Sequence, residues 1–235
     1  MSAVNDFHHI FVPAEEEGRP TLLLLHGTGA DERDLLGLGR ALVPGAALLA
    51  PRGKVDEHGA NRWFRRLAEG VYDVEDVIAR SGELTGFIED AAAEYGFAPE
   101  GVIAVGFSNG ANIAAATLLL RPDVLAGAVL FASAAPLQDR EPDRVDLSGT
   151  PVFMGAGRTD PITTIVEARL LARQLRERGA DVVLHEHSGG HGLPQPVFAA
   201  ARDWLAASGL DSWPARQAGP RPSVGAREAD QGELK

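Results

Sequence analysis

The chain has 235 residues, a formal net charge of -11 at pH 7 with its histidines neutral, and no cysteine. Disulfides, thiolate metal sites and a cysteine nucleophile are thereby excluded, and the acidic balance argues against a nucleic-acid partner, whose phosphates it would repel. Hydrophobic residues at 45% and charged residues at 23% are the balance of a globular chain, here long enough to bury one sizeable core.

The N-terminal stretch MSAVNDFHHIFVPAEEEGRP has no basic segment followed by an apolar one, so no secretory signal is expected. No apolar run approaches a bilayer span, and a cytoplasmic protein without a membrane span is the expectation. HHIFVP reads as an edge strand. Apolar runs at 21–25, 46–50, 101–106, 126–131, 151–155 and 181–186 have the length and flanks of buried strands. Helical spacing begins at Asp31, with Leu35, Leu36, Leu38 and Leu42, and recurs over 73–95, 109–121, 161–178 and 195–207. The helix over 161–178 has Pro161 near its first turn and Gly179 just past its end. Residues 209–235, rich in glycine, proline and charge, read as a disordered tail, with Trp213 suited to pack back onto a single domain over 1–208.

Strands alternating with helices imply a mainly parallel, doubly wound sheet covered on both faces, a three-layer α/β/α sandwich. In such sheets ligands bind beyond the carboxyl ends of the strands. That rule filters the candidate residues.

The strand over 101–106 runs into GFSNG, and a helix follows at once. In a chain with 27 glycines a bare G-x-S-x-G arises by chance at roughly one in ten, so context decides. A strand–turn–helix setting is that of a nucleophile elbow, in which Ser108 projects from a strained turn and Gly106 and Gly110 let strand and helix approach. A serine needs a base, and the base needs an acid to orient it, in the order Ser, Asp or Glu, His. His8, His9, His26 and His58 precede the serine. His185 and His187 share one face of the last strand, and His185-Glu186-His187 lacks a third ligand at metal-binding spacing. His191, in SGGHGLP at the correct sheet end, is the candidate base. Asp160 leaves the strand of 151–155 at its carboxyl end, whereas Asp146 and Asp181 lie at the wrong end; a cap for the helix after Pro161 is its competing role.

The oxyanion of an acyl-transfer intermediate needs amide donors. Asn109 N–H follows the nucleophile. HGTG, after the strand of 21–25, offers Thr28 N–H, with Gly29 as the alternative, while His26 braces the loop. This turn lacks G-x-G-x-x-G and a Lys-Ser/Thr pair, which speaks against a nucleotide phosphate.

LLLLHGTGADERDLL, APRG, WFRRL, GFSNGANIA, GRTDPI and GGHGL together resemble the small carboxylesterase/phospholipase branch of the α/β-hydrolases. That branch includes acyl-protein thioesterases and bacterial methylhydroquinone-responsive hydrolases, and the resemblance covers roughly residues 20 to 206. It implies the triad Ser108, Asp160 and His191, with Thr28 and Asn109 at the oxyanion, no cofactor and no metal. Asn109 stands where acyl-protein thioesterases typically carry Gln. The segment 133–150 is too short and polar for an interfacial lid, so no sizeable lid is expected. Trp63 and Phe64 are candidates to wall an acyl pocket or to join the core, and Gly29 and Leu193 are further pocket candidates. Arg62, Arg65 and Arg66 suit either an anionic substrate group or salt bridges to Glu69, Asp73 and Glu75. The expectation is a serine hydrolase of small carboxylic esters, with thioesters or lysophospholipids as the rival substrates and a non-catalytic receptor as the rival class. Its partner is a small-molecule ester, and a homodimer is left open.

Overall fold

A computed structural model describes residues 6–16, 18–138, 140 and 145–212. Most of the tail of 209–235, including Trp213, lies outside the described residues. The elements follow in chain order: β1 (His9–Val12), β2 (Thr21–Leu25), α1 (Leu36–Leu42), β3 (Ala47–Pro51), β4 (Val55–Glu57), β5 (Ala60–Arg62), β6 (Arg66–Ala68), β7 (Val71–Tyr72), α2 (Val74–Tyr95), β8 (Val102–Phe107), α3 (Asn109–Leu120), β9 (Gly127–Phe131), β10 (Pro151–Gly157), α4 (Ile165–Glu177), β11 (Asp181–His187) and α5 (Gln195–Ala207).

Seven strands form the central sheet in the order β1-β3-β2-β8-β9-β10-β11. All neighbours are parallel except β1, which runs antiparallel to β3 at the edge. The inner strands β2, β3 and β9 are buried at every residue, because helices cover both faces. On one face α2, α3 and α4 bring Phe87, Ile88, Ile113, Leu118 and Leu171 against Leu23, Leu25, Ala104 and Met154. On the other, α1 and α5 bring Leu42, Val197 and Leu205 against Leu24, Val105 and Phe153. The expected doubly wound three-layer sandwich is what forms.

Helix starts deviate where side chains intervene. Asp31 accepts a hydrogen bond from Arg33 N–H at 2.8 Å, closing a turn, so α1 begins at Leu36 and not at Asp31. Thr164 caps α4 by accepting from Glu167 N–H, which puts the start at Ile165 and leaves Pro161 outside the helix. The segment 52–72 forms two small hairpins, β4–β5 and β6–β7, which lie apart from the main sheet.

Candidate active site

The carboxyl ends of β2, β8, β10 and β11 lie along one sheet edge, with Leu25 beside Gly106 and Gly157 beside His187 in register. Each of these strands hands its chain to one piece of the site. After β8, Ser108 takes φ 53° and ψ -117°, a conformation that L side chains avoid, and its N–H is anchored on Phe131 C=O at 2.9 Å. Two glycines make this turn feasible. A Cβ on Gly106 would meet Ala111 Cα at 2.6 Å, and a Cβ on Gly110 would fall on the backbone carbonyl of Leu25.

His191, in the loop after β11, has its Nε2 3.0 Å from Ser108 Oγ and its Nδ1 2.7 Å from Asp160 Oδ2. Asp160 is buried after β10. Burial alone would raise its carboxyl pKa, but hydrogen bonds from Thr163 Oγ1, Ile162 N–H, His191 and Thr163 N–H outweigh it and hold the group below the ordinary carboxylate range. An ionised Asp160 only accepts, so Nδ1 of His191 carries the proton and Nε2 is left to accept from the Ser108 hydroxyl. Asp160 also shapes the turn after β10, but α4 is capped by Thr164.

Two amides face the same region. Asn109 is the first residue of α3, so its N–H has no intrahelical acceptor, and Thr28 N–H has no acceptor among the described residues. Gly29 N–H donates to Asn61 C=O at 2.9 Å, which removes Gly29 as the alternative donor. His26 is buried, and burial lowers its pKa. Its Nδ1 donates to Gly27 C=O at 2.7 Å and its Nε2 accepts from Gly53 N–H at 3.0 Å, the bracing role expected of it.

The segment from Asn61 to Trp63 clamps both donor loops. Asn61 Nδ2 donates to Ala30 C=O, and Arg62 Nη1 donates to Thr28 Oγ1 at 3.0 Å. Trp63 Nε1 donates to His26 C=O at 2.9 Å and Trp63 N–H donates to Asn109 Oδ1 at 2.7 Å. The Asn109 side chain therefore ties the helix that follows Ser108 to this clamp.

A cavity of about 320 Å³ opens over Ser108, His191 and Thr28. Arg62, Arg66, Tyr72 and Asn112 contribute polar wall, Phe107 and Ile162 apolar wall. Trp63 and Phe64 are buried in the core and do not line it: the Trp63 indole N–H is held by His26 C=O, and the Phe64 ring packs edge-on against Tyr72. Leu193 lines a separate open cleft beside His191 and packs toward the α1/α5 face. Of the arginines, Arg65 pairs with Asp73 and Arg66 with Glu69, as expected, while Glu75 pairs instead with Arg140. Tyr72 and Asn112 escaped sequence reading, although Asn112 is a polar residue in the apolar run of α3, four residues after Ser108. His185 stacks on Phe153, and His187 Nδ1 accepts from Gly189 N–H.

A model of the phospholipase/carboxylesterase family matches residues 7–208. The putative hydrolase MhqD of Bacillus subtilis is 49% identical over 183 residues, 78% of this chain and 90% of that protein. The Bacillus cereus carboxylesterase superposes with a TM-score of 0.82 at 40% identity, covering 86% of this chain and 94% of that one. A carboxylesterase from Mesorhizobium loti gives a TM-score of 0.79 at 31% identity, covering 85% and 94%. With this fold and these relatives, the chain belongs to the phospholipase/carboxylesterase family of the α/β-hydrolases.

Proposed function

We propose that the protein is a serine carboxylesterase acting on small carboxylic esters through an acyl-enzyme. The observation that carries this reading is the relay Ser108–His191–Asp160, with hydrogen bonds of 3.0 and 2.7 Å, beside the unspent amides of Thr28 and Asn109. Ser108 Oγ attacks the ester carbonyl carbon as His191 Nε2 takes its proton, and the carbonyl electrons move onto oxygen, where the two amides receive the charge. Collapse expels the alcohol, which takes the proton back from His191. Water then repeats the sequence on the acyl-enzyme, releasing the acid and free Ser108. Asp160 stays ionised throughout and stabilises the imidazolium between these transfers. The cavity of about 320 Å³ has room for a small acyl group.

Labelling with a fluorophosphonate followed by peptide mass mapping tests the assignment. One adduct, on Ser108, is expected, and its absence would refute the serine mechanism.

A further inference from the structure

The cavity wall contains a hydroxyl whose orientation is settled by its neighbours. Asn112 lies in the first turn of α3, with its N–H on Ser108 C=O at 2.9 Å. Its Oδ1 accepts from Ala134 N–H at 2.8 Å, so that end of the amide must be the carbonyl. The other end is therefore the NH₂, and it donates to Tyr72 Oη at 3.1 Å. With a donor already on its oxygen, Tyr72 has its own proton left, and none of the described residues accepts it. Burial raises the Tyr72 pKa, which keeps the phenol protonated. The ring is held edge-on against Phe64 at 5.2 Å between centroids.

The cations beside it are already matched. Arg66 binds Glu57 at 2.9 Å and Glu69 at 2.7 Å, and Arg62 faces Glu57 at 3.5 Å while donating to Thr28 Oγ1 and Phe64 C=O. No unopposed charge awaits an anionic substrate on this wall. The leaving oxygen has to reach His191, which lies beside Thr163 with its Nδ1 3.4 Å from Thr163 Oγ1, and we assign the acyl group to the part of the lining formed by Tyr72, Asn112 and Arg62.

We infer that Tyr72, oriented by Asn112, is a specificity-determining residue whose hydroxyl donates to an oxygen acceptor in the acyl group, so that the site prefers small, uncharged, oxygen-bearing acyl esters over alkyl esters of equal length. This rests on the serine esterase reading and names the substrate class for it.

The test compares 4-nitrophenyl 3-methoxypropanoate with 4-nitrophenyl pentanoate, which match in acyl length and leaving group, each kcat/KM being divided by the ester's rate with hydroxide. The wild type is expected to favour the ether ester by ~10-fold, the effect of one neutral hydrogen bond. Tyr72→Phe should bring the ratio close to unity. Asn112→Asp should do so as well while keeping the phenol, because a carboxylate there would draw the Tyr72 proton to itself. A wild-type preference for pentanoate, or a ratio unmoved by Tyr72→Phe, overturns the subsite while the esterase reading stands. No hydrolysis of either ester, with Ser108 unlabelled by fluorophosphonate, overturns both.

Discussion

Ser108 provides a direct measure of the strain built into the elbow. At φ 53° and ψ -117° a residue with a Cβ is held in a sparsely populated region, at a cost of about 1–3 kcal/mol. Ser108→Gly removes the Cβ and so the strain, against about 0.4–1 kcal/mol for the freer unfolded chain. Ser108→Ala retains the strain. Both variants lose the 3.0 Å contact with His191, so that loss cancels when they are compared. The glycine variant should therefore be the more stable by about 1 kcal/mol, or about 2–4 °C in Tm for a domain of this size. This inverts the order found in helix interiors, where alanine exceeds glycine by about 1 kcal/mol. Urea and thermal melts of the two inactive variants measure the difference. An alanine variant as stable as the glycine variant, or more so, would refute the claim that the protein holds Ser108 against its backbone preference.

Asp160→Asn should lower kcat on the order of 10⁴-fold with little change in fold, by analogy with serine-protease triads, and near-full activity would reassign the acid. Because the Asp160 carboxyl is held below its ordinary range, its own protonation should not shape kcat/KM across the ordinary carboxylate range, and a limb there that Asp160→Asn abolishes would refute this. Gly110→Ala should destabilise by about 3 kcal/mol or more, since the new Cβ falls on the Leu25 backbone, whereas Gly86→Ala in α2, with open space around it, should stabilise by about 0.5–1 kcal/mol; melts of both check the contrast. The Arg52 hydrogen bonds hold the Glu32 carboxyl down at about 2, so its contribution to stability is complete above the ordinary value of 4.5 and is lost as pH falls from there toward 2. Urea melts across that window should show a smaller pH dependence in Glu32→Gln than in the wild type.

The strands of the seven-stranded sheet were legible because each falls within two residues of a short run read as a strand. That Ser108, Asp160 and His191 meet was legible because strand ends order the chain around one edge. Legibility failed where side chains compete with the backbone. The Asp31 turn and the Thr164 cap moved two helix starts, since Asp and Thr serve equally well in turns and at caps. It failed again over 52–72, where strands of two or three residues carry no readable periodicity. Trp63 is held inward by hydrogen bonds to His26 C=O and Asn109 Oδ1, contacts distant in sequence that no local pattern encodes, and Phe64 beside it packs into the core.

Because the clamp of Asn61, Arg62 and Trp63 holds the Thr28 and Asn109 loops, heat inactivation is expected to be a separate event from melting. Asn61 and Arg62 belong to a hairpin with strands of only three residues, and two-stranded hairpins have little stability of their own. Its fraying would release the Thr28 and Asn109 loops while the seven-stranded sheet remained intact. Activity should then fade at temperatures where the far-ultraviolet signal of the fold is still complete, and return on cooling. Loss of activity that coincides with loss of the far-ultraviolet signal would refute this.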